Sequence, residues 1–444
     1  MPDSSPAAQQ PLLGPYDLGD LWLRNRVVMA PMTRARAENR ELAPTPLHAE
    51  YYRQRAGAGL IVSEGTWISP GAVGSVHVPG LYGAEQVAGW TEVTGAVHAE
   101  RGVIFAQLAH TGASSHPDYH GGHLPVAPSA VNPGGRVFTP VGGFTETVTP
   151  RALTVDEIAE IVEQYRSAAA NARRAGFDGV EIHAQRGYLI AQFLNPALNL
   201  RTDAYGGSAE NRARFLFEIL EAVTGVWDPH RVGVKFAPYQ AIGSTTEVAP
   251  ELLTGHEHVA ERLNDHPLAY LHLMMTRRPN ELVTPDQQRA SLVRFRPRYH
   301  GTLVANAGMD QESGNRVITE GLADLVSFAQ LFIANPDLPT RFEHGHPLAV
   351  ADRETFYQGG TSGYADYPAY AGEPESQPVG SVRRPASSAT RSALRPSGSS
   401  TAEADRFIGH GRAPLFLLDA LRRAGRPRRV PVPPGRRPAP GRVR

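Results

Sequence analysis

The stretch Gly179-Val-Glu-Ile-His183-Ala-Gln-Arg186-Gly187-Tyr188-Leu-Ile-Ala-Gln192-Phe193-Leu194 runs from a short apolar segment, through polar residues, into a second apolar segment. Gly179–Ile182 predicts a buried strand, so His183 and Tyr188 should fall on the loop that follows it. Enzymes built on an α/β barrel keep their chemistry at the carboxyl ends of the strands. The imidazole of His183 and the phenol of Tyr188 are therefore candidate catalytic groups of a barrel enzyme.

Eight short apolar runs occur in order along the chain, and each is followed by a stretch that could be helical. Strand alternating with helix eight times predicts an α/β fold, a (β/α)8 TIM barrel with an all-parallel inner sheet. The predicted strands are Val27–Ala30, Leu60–Ser63, Val103–Leu108, Gly179–His183, Val232–Phe236, Ala269–Leu273, Thr302–Ala305 and Leu325–Phe328.

Capping residues support several of the predicted helices. Thr154, with Glu157 three residues later, has the pattern of a capping box, and Ser208 is a capping residue after the turn that begins at Arg201. The helices predicted most clearly are Ala84–Glu100, Thr154–Ala175, Ala209–Val226 and Gln311–Gly321.

One connection is much longer than the others. Residues 111–151 separate the third predicted strand from its helix and are rich in Gly, Pro and His. Long ordered loops in compact domains are usually functional lids, so we expect a capping hairpin over the mouth of the barrel. A floppy insertion is the alternative.

Composition sets the domain limits. The chain has 444 residues, of which 41% are hydrophobic, and it contains no cysteine, which excludes thiolate zinc sites, iron–sulfur clusters and a catalytic thiol. We expect a flexible segment over residues 1–11, one barrel over residues 12–370 and a disordered tail rich in Arg, Pro and Ser over residues 371–444. No metal site is expected.

Charge and hydropathy indicate where the protein acts. The tail holds 15 arginines against five acidic residues, and the first 370 residues carry the opposite balance, because the net charge is zero. The arginine clusters could touch nucleic acid or anionic surfaces, but a solvated extension explains them better, and we expect no nucleic-acid partner. No apolar run approaches the ~18 residues that cross a bilayer, so we expect no signal peptide, no membrane contact and a cytoplasmic protein.

Several motifs, in order along residues 12–370, resemble the old yellow enzyme family of FMN-dependent ene-reductases. Val28-Met-Ala-Pro31-Met32-Thr33-Arg34 is similar to the family segment that meets the flavin ring, and Gln107 matches its pyrimidine-binding glutamine. Asn306-Ala307-Gly308 and the segment from Phe332 to Leu338 resemble its phosphate-side signatures. Phe356-Tyr357 and the segment from Gly363 to Pro368 resemble its closing segment. The resemblance implies cofactor contacts at Pro31, Met32, Thr33, Gly65, Gln107, His183, Lys235, Asn306, Ala307, Gly308, Ala329 and Gln330, and a substrate contact at Tyr357.

The resemblance also implies a reaction. Reduced FMN gives hydride to the β-carbon of an activated alkene, and the substrate carbonyl oxygen then needs hydrogen-bond donors. His183 resembles the first of these donors. Tyr188 matches the family's proton donor to the α-carbon, a role that suits a phenol whose ordinary pKa is ~10.

Several positions depart from the family pattern. Arg186 stands where relatives have the second carbonyl donor, and it could either bind an anionic substrate group or obstruct the pocket. Lys235, the chain's only lysine, replaces an arginine that faces the flavin, so the positive charge is kept. Ala329-Gln330 replaces the glycine and arginine at the flavin phosphate. Losing such a charged hydrogen bond costs about 1.5–3 kcal/mol, so we expect weakened FMN binding.

The region around the substrate departs as well. Ala109 stands where relatives have a bulky tryptophan, and Met274-Met-Thr-Arg277-Arg278 lacks the acid that the family carries. Both changes suggest a larger or unusual substrate.

These observations predict an FMN-dependent oxidoreductase that uses NADH or NADPH to reduce an α,β-unsaturated carbonyl, or to perform a related redox step on a specialised metabolite. The alternative is a barrel with weak or no flavin that acts as an isomerase or binds a metabolite. The expected partner is a small-molecule substrate, and the chain should be a monomer or a homodimer.

Overall fold

A closed barrel of eight parallel strands forms the centre of the molecule, as the alternation of strands and helices predicted. The computed structural model describes residues 10–185, 187–239, 250–275 and 283–372. Each strand pairs in parallel with its neighbours in chain order, and the eighth closes on the first. The strands are β1 (Val27–Met29), β2 (Leu60–Trp67), β3 (Ile104–Ala109), β4 (Gly179–Ala184), β5 (Val232–Phe236), β6 (Tyr270–Met274), β7 (Leu303–Asn306) and β8 (Leu325–Phe328).

Helices surround the barrel and begin where the capping residues predicted. Thr154 and Glu157 form a capping box, and the Ser208 hydroxyl accepts a hydrogen bond from the amide of Asn211. The helices are α1 (Pro46–Arg53), α2 (Ala84–Ala99), α3 (Val155–Arg174), α4 (Leu189–Leu194), α5 (Ala209–Thr224), α6 (Pro250–Arg262), α7 (Pro285–Phe295), α8 (Gln311–Thr319), α9 (Gln330–Ala334) and α10 (Leu338–His344).

β2 extends four residues beyond its predicted end, and β4 contains a candidate catalytic residue that was expected on the loop. β4 continues to Ala184, so His183 lies in the strand and not on the loop after it. β2 continues to Trp67, which places Gly65 inside a strand beside a register shift. The apolar runs underestimated the lengths of both strands, because polar residues continue the hydrogen-bond ladder at the carboxyl ends of the strands.

Alternate residues of six strands belong to two separate hydrophobic cores, as expected for a pleated strand in a barrel, whereas β4 and β5 contribute apolar residues to the outer core alone. One core joins outward residues such as Ile61, Val180 and Val234 to the surrounding helices. The other fills the barrel interior with Val28, Leu60, Val62, Phe105, Tyr270, Val304 and Leu325. Leu18 and Leu23 belong to this inner core. The hairpin that carries them, Tyr16–Leu18 with Leu21–Leu23, therefore packs against the amino-terminal half of the interior.

Interior glycines make room for two aromatic rings. Phe105 and Tyr270 stack with centroids 5.9 Å apart, and both side chains are fully buried. A Cβ atom added to Gly179 would lie 2.4 Å from the ring of Phe105, and one added to Gly233 would lie 2.3 Å from the ring of Tyr270. The inner core therefore depends on the absence of side chains at two positions.

The long connection after β3 contains the hairpin that the sequence predicted. Strands Arg136–Thr139 and Gly143–Glu146 pair antiparallel, and a short parallel pair, Val126–Ala127 with Arg151–Ala152, lies at the base of the insertion. The Tyr119 hydroxyl donates a hydrogen bond to the carbonyl oxygen of Phe138 in the hairpin. The neighbouring phenol of Tyr188 contributes, after burial, to raising the pKa of Tyr119. The hairpin is therefore tied to Tyr119 in the first part of the insertion.

One compact unit extends to Ala371. The tail predicted to be disordered lies almost entirely outside the described residues, as does most of the segment predicted to be flexible at residues 1–11. Within the described ranges, no helix is long and apolar enough to cross a bilayer.

Replacing Gly233 with alanine should destabilise the barrel by about 1–3 kcal/mol, because the new methyl group would overlap a Tyr270 ring that has no room to move. Gly95 is the matched control, since it lies exposed in the middle of α2 with open space around it. Gly95→Ala should be neutral or stabilise the protein by up to about 1 kcal/mol. Urea unfolding of both variants tests this, and equal midpoints would contradict it.

Candidate functional site

Polar side chains replace apolar ones toward the carboxyl end of the barrel interior. Gln107 on β3, Lys235 on β5 and Asn306 on β7 follow the inward-facing positions of the inner core, and they are 2–4% exposed. Strand pairing sets Gln107 beside Glu181 and Lys235 beside His183. The closed barrel therefore brings three of the predicted cofactor contacts into one ring at its open end.

A chain of hydrogen bonds begins at Gln107 and crosses the barrel interior. Gln107 Nε2 donates to Glu181 Oε1 at 2.6 Å, and the other carboxylate oxygen of Glu181 lies 2.7 Å from His272 Nδ1. His272 Nε2 lies 2.7 Å from the hydroxyl of Ser327. The side chains of Glu181 and His272 have no exposed surface, so this polar chain lies inside the barrel.

Neighbouring groups decide the charges in this chain. Burial opposes ionisation of Glu181, but His272, Lys235 and Gln107 together hold the pKa of its carboxyl below the ordinary value. Burial, with Lys235 nearby, lowers the pKa of His272 to about 4 although Glu181 opposes the shift. Near neutral pH Glu181 is therefore a carboxylate and His272 a neutral imidazole that donates from Nδ1 and accepts at Nε2.

The two predicted catalytic side chains lie together. The rings of His183 and Tyr188 stack with centroids 4.6 Å apart and an angle of 25°, and the ring of Trp67 lies 6.3 Å from that of Tyr188. Tyr188 directly precedes α4, and it remains partly exposed while His183 is 4% exposed. Hydrogen bonds from Ser114 and Gln192 to the carbonyl oxygen of Gly187 hold the turn before Tyr188.

The predicted flavin-ring contacts lie on neighbouring strands. Pro31, Met32 and Thr33 follow β1 and are partly exposed, and Gly65 is the one partly exposed residue of the otherwise buried strand β2. A Cβ atom added to Gly65 would lie 3.3 Å from Oε1 of Gln107. The amide oxygen of Gln107 therefore faces the space that the missing side chain leaves open.

The predicted phosphate end shows an unusual backbone. Ala307 has a φ of 80° and Gly308 one of 71°, so an alanine occupies a left-handed conformation that normally favours glycine. Ala329 precedes α9 and is partly exposed, whereas Gln330 is exposed at the start of that helix. These residues follow the adjacent strands β7 and β8, where barrels commonly bind phosphate.

Two buried arginines that follow β1, Arg34 and Arg36, hold the closing segment. Arg34 donates to the carbonyl oxygens of Phe356 and Gly363, and Arg36 donates to those of Thr355, Gly360 and Ser362. The ring of Tyr364 stacks on that of Tyr51 at 4.0 Å. We call these contacts the arginine clamp, and it fastens the closing segment beside Pro31–Thr33.

Two other predicted residues are not brought into the site by any described contact. Tyr357 is 52% exposed on the closing segment, and its substrate role stays a prediction. Arg186 lies outside the described residues, as do Thr276, Arg277 and Arg278. Sequence reasoning also missed Glu181, His272 and Ser327; charged and polar residues inside predicted buried strands were the available signal.

Known proteins are similar in sequence to most of this chain. Residues 11–349 match the NADH:flavin oxidoreductase / NADH oxidase family. 12-oxophytodienoate reductase 1 of Oryza sativa subsp. japonica is 41% identical over 368 residues, which cover 82% of this chain and 94% of that protein. The chain belongs to the old yellow enzyme family.

Solved structures of old yellow enzyme relatives have the same barrel. Morphinone reductase in complex with tetrahydroNAD superposes with a TM-score of 0.75 at 42% identity, covering 82% of this chain and 98% of that one. The old yellow enzyme homologue from Zymomonas mobilis gives a TM-score of 0.75 at 38% identity, covering 81% and 99%. The protein is thus an oxidoreductase of the NADH:flavin type with FMN as its cofactor.

Among the residues that the structure describes, no group of His, Asp or Glu side chains is arranged to hold a metal ion.

Acidification below pH 6.5 should destabilise the protein. Burial lowers the pKa of His48, His256 and His272 to about 4 and that of His110 to about 3, so unfolding lets each imidazole take up a proton. Stability is therefore lost as pH falls from the unfolded pKa toward the folded one. Glu64 opposes this, because burial raises its pKa to about 7, but it is one group against four.

Urea unfolding between pH 7 and pH 5 measures the effect, which should be about 1 kcal/mol or more per pH unit. His256 packs against Phe236 on the outer side of the barrel, so His256→Phe should give a shallower pH dependence. A free energy of unfolding that stays level or rises on acidification would contradict the assignment.

Proposed function

We propose that this oxidoreductase reduces the carbon–carbon double bond of an α,β-unsaturated carbonyl compound and takes its reducing equivalents from NADH or NADPH. The observation that carries the proposal is the stacked pair of His183 and Tyr188 beside the polar ring at the barrel mouth. The names of the relatives, 12-oxophytodienoate reductase and morphinone reductase, also indicate reduction of small-molecule substrates.

The residues at the mouth fit FMN. Gln107 presents an amide oxygen to the gap beside Gly65, and Lys235 brings a positive charge into an interior that is otherwise shielded from water. A flavin ring carries an imide N–H and two carbonyl oxygens along its pyrimidine edge, and an acceptor next to a cation complements that edge. FMN bound here would supply a hydride to the β-carbon of the substrate.

His183 and Tyr188 have distinct tasks in the proposed reaction. His183, on β4, would donate a hydrogen bond to the substrate carbonyl oxygen as negative charge develops there. The phenol of Tyr188 would deliver the proton that the α-carbon requires, and solvent would return a proton to its oxygen afterwards. One hydride and one proton then account for both hydrogens added to the double bond.

The phosphate end should hold FMN less tightly than a site with arginine. Gln330 is exposed and uncharged, and Ala307 keeps its left-handed turn at an energetic cost. Backbone amides near Ala307 and Gly308 can still meet a phosphate between β7 and β8. We expect FMN affinity about tenfold to a hundredfold below that of a site with a charged hydrogen bond.

Arg186 and Tyr357 would meet the substrate, and the working form would be a monomer or a homodimer. Ala109 has only a single methyl group as its side chain at the end of β3, and this small residue would favour a bulky alkene.

Titration of the purified protein with FMN tests the proposal directly. The complex should be yellow, its absorbance should bleach under anaerobic NADH or NADPH, and a simple enone such as 2-cyclohexenone should restore it. A protein that takes up no FMN at millimolar concentration overturns the proposed function and favours a barrel that isomerises or binds a metabolite.

Tyr188→Phe should slow reoxidation of the reduced enzyme by the enone by about a hundredfold or more, because a general acid typically contributes at least that factor. Reduction by NADH should change little. Stopped-flow absorbance separates the two half-reactions. Tyr165→Phe is the matched control, since it removes a buried phenol hydroxyl on α3, far from the mouth. Equal slowing of both half-reactions by Tyr188→Phe would refute the proton-donor role.

A further inference from the structure

A hydrogen bond to Glu181 fixes the orientation of the Gln107 side-chain amide. Glu181 is paired with Gln107 on the adjacent strand, and its Oε1 accepts a hydrogen bond from Gln107 Nε2 at 2.6 Å. Gln107 is 3% exposed and Glu181 is fully buried, so water cannot substitute for this contact. The chemistry of Glu181 therefore decides which end of the amide points toward the mouth.

A carboxylate accepts hydrogen bonds and cannot donate them, so it requires the NH2 end of the Gln107 amide. Lys235 and His272 favour the ionised form of Glu181, as its lowered pKa shows. The oxygen end of the amide is then turned away from Glu181, toward the position of Gly65. A glutamine at position 181 could present either end of its own amide and would leave this choice open.

The carboxylate is itself fixed in place. Its second oxygen lies 2.7 Å from His272 Nδ1, and His272 Nε2 lies 2.7 Å from Ser327 Oγ. The Ser327 hydroxyl also lies 3.2 Å from the carbonyl oxygen of Ala305. Each oxygen of Glu181 thus has a dedicated donor from a different strand, which prevents the carboxylate from rotating and releasing Gln107.

We infer that Glu181 is a positioning residue that turns the amide oxygen of Gln107 toward the cofactor, so that the site selects a ring whose facing edge carries an N–H group. The inference rests on the proposed function, in which the imide N–H of the flavin meets Gln107. Glu181 acts through Gln107 and does not itself touch the cofactor. His272 on β6 holds Glu181 directly, and Ser327 on β8 holds His272.

A double-mutant cycle on FMN affinity tests the inference. Wild type, Glu181→Leu, Gln107→Leu and the double variant are compared as apoproteins by calorimetric titration with FMN, alongside urea unfolding of each apoprotein. Glu181→Leu should weaken FMN binding about tenfold in the wild-type background and hardly at all in the Gln107→Leu background. A merely structural role predicts the same loss in both backgrounds.

A conservative variant and a matched control variant complete the experiment. Glu181→Gln keeps the volume of the side chain and should fold even if Glu181→Leu does not; it should show the same dependence on Gln107 with a smaller loss. Glu257→Leu is the matched control, because Glu257 is a buried carboxylate on α6 paired with Arg294 at 2.7 Å and lies in the helical layer. It should leave FMN affinity unchanged.

The outcomes distinguish this inference from the function on which it rests. A wild-type protein that binds no FMN overturns the proposed function and the inference together. A wild-type protein that binds FMN, with equal losses for the Glu181 variants in both backgrounds, overturns the inference alone. Loss of binding in Glu257→Leu as large as in Glu181→Leu would also overturn it.

Discussion

Burying a carboxylate and an ammonium group inside a closed barrel is the constraint around which the site is arranged. Glu181 and Lys235 lie on neighbouring strands with at most 2% of their surface exposed, where an unpaired charge would cost several kcal/mol. Hydrogen bonds from Gln107 and His272 satisfy the carboxylate, and the positive charge of Lys235 offsets its charge. These polar groups lie toward the carboxyl ends of the strands, and the amino-terminal half of the interior is filled by the apolar inner core.

The fold could be predicted from the sequence because it depends on local patterns. Each of the eight apolar runs became a strand, and the capping signals at Thr154 and Ser208 marked true helix starts. The hairpin within residues 111–151 followed from loop length alone. Strand ends were less predictable, as the extension of β2 to Trp67 shows, because polar residues that face a barrel mouth continue the ladder without an apolar signature.

The site was predictable only where a residue type had an obvious chemical role. His183 and Tyr188 are five positions apart and were singled out together, and their rings do stack. Glu181, His272 and Ser327 are separated by up to 146 residues and meet only because the barrel closes, so no spacing pattern announces them. The left-handed backbone of Ala307 was equally invisible, since alanine gives no hint of that conformation.

The arginine clamp has an evolutionary consequence. Apart from contacts with the ring of Tyr364, Arg34 and Arg36 hold the closing segment through main-chain carbonyl oxygens of Thr355, Phe356, Gly360, Ser362 and Gly363. Every amino acid offers that same oxygen, so most side chains of the segment can be exchanged without loosening its attachment. Positions such as Tyr357, which is 52% exposed and which we propose to contact the substrate, can therefore change while the attachment of the segment is kept.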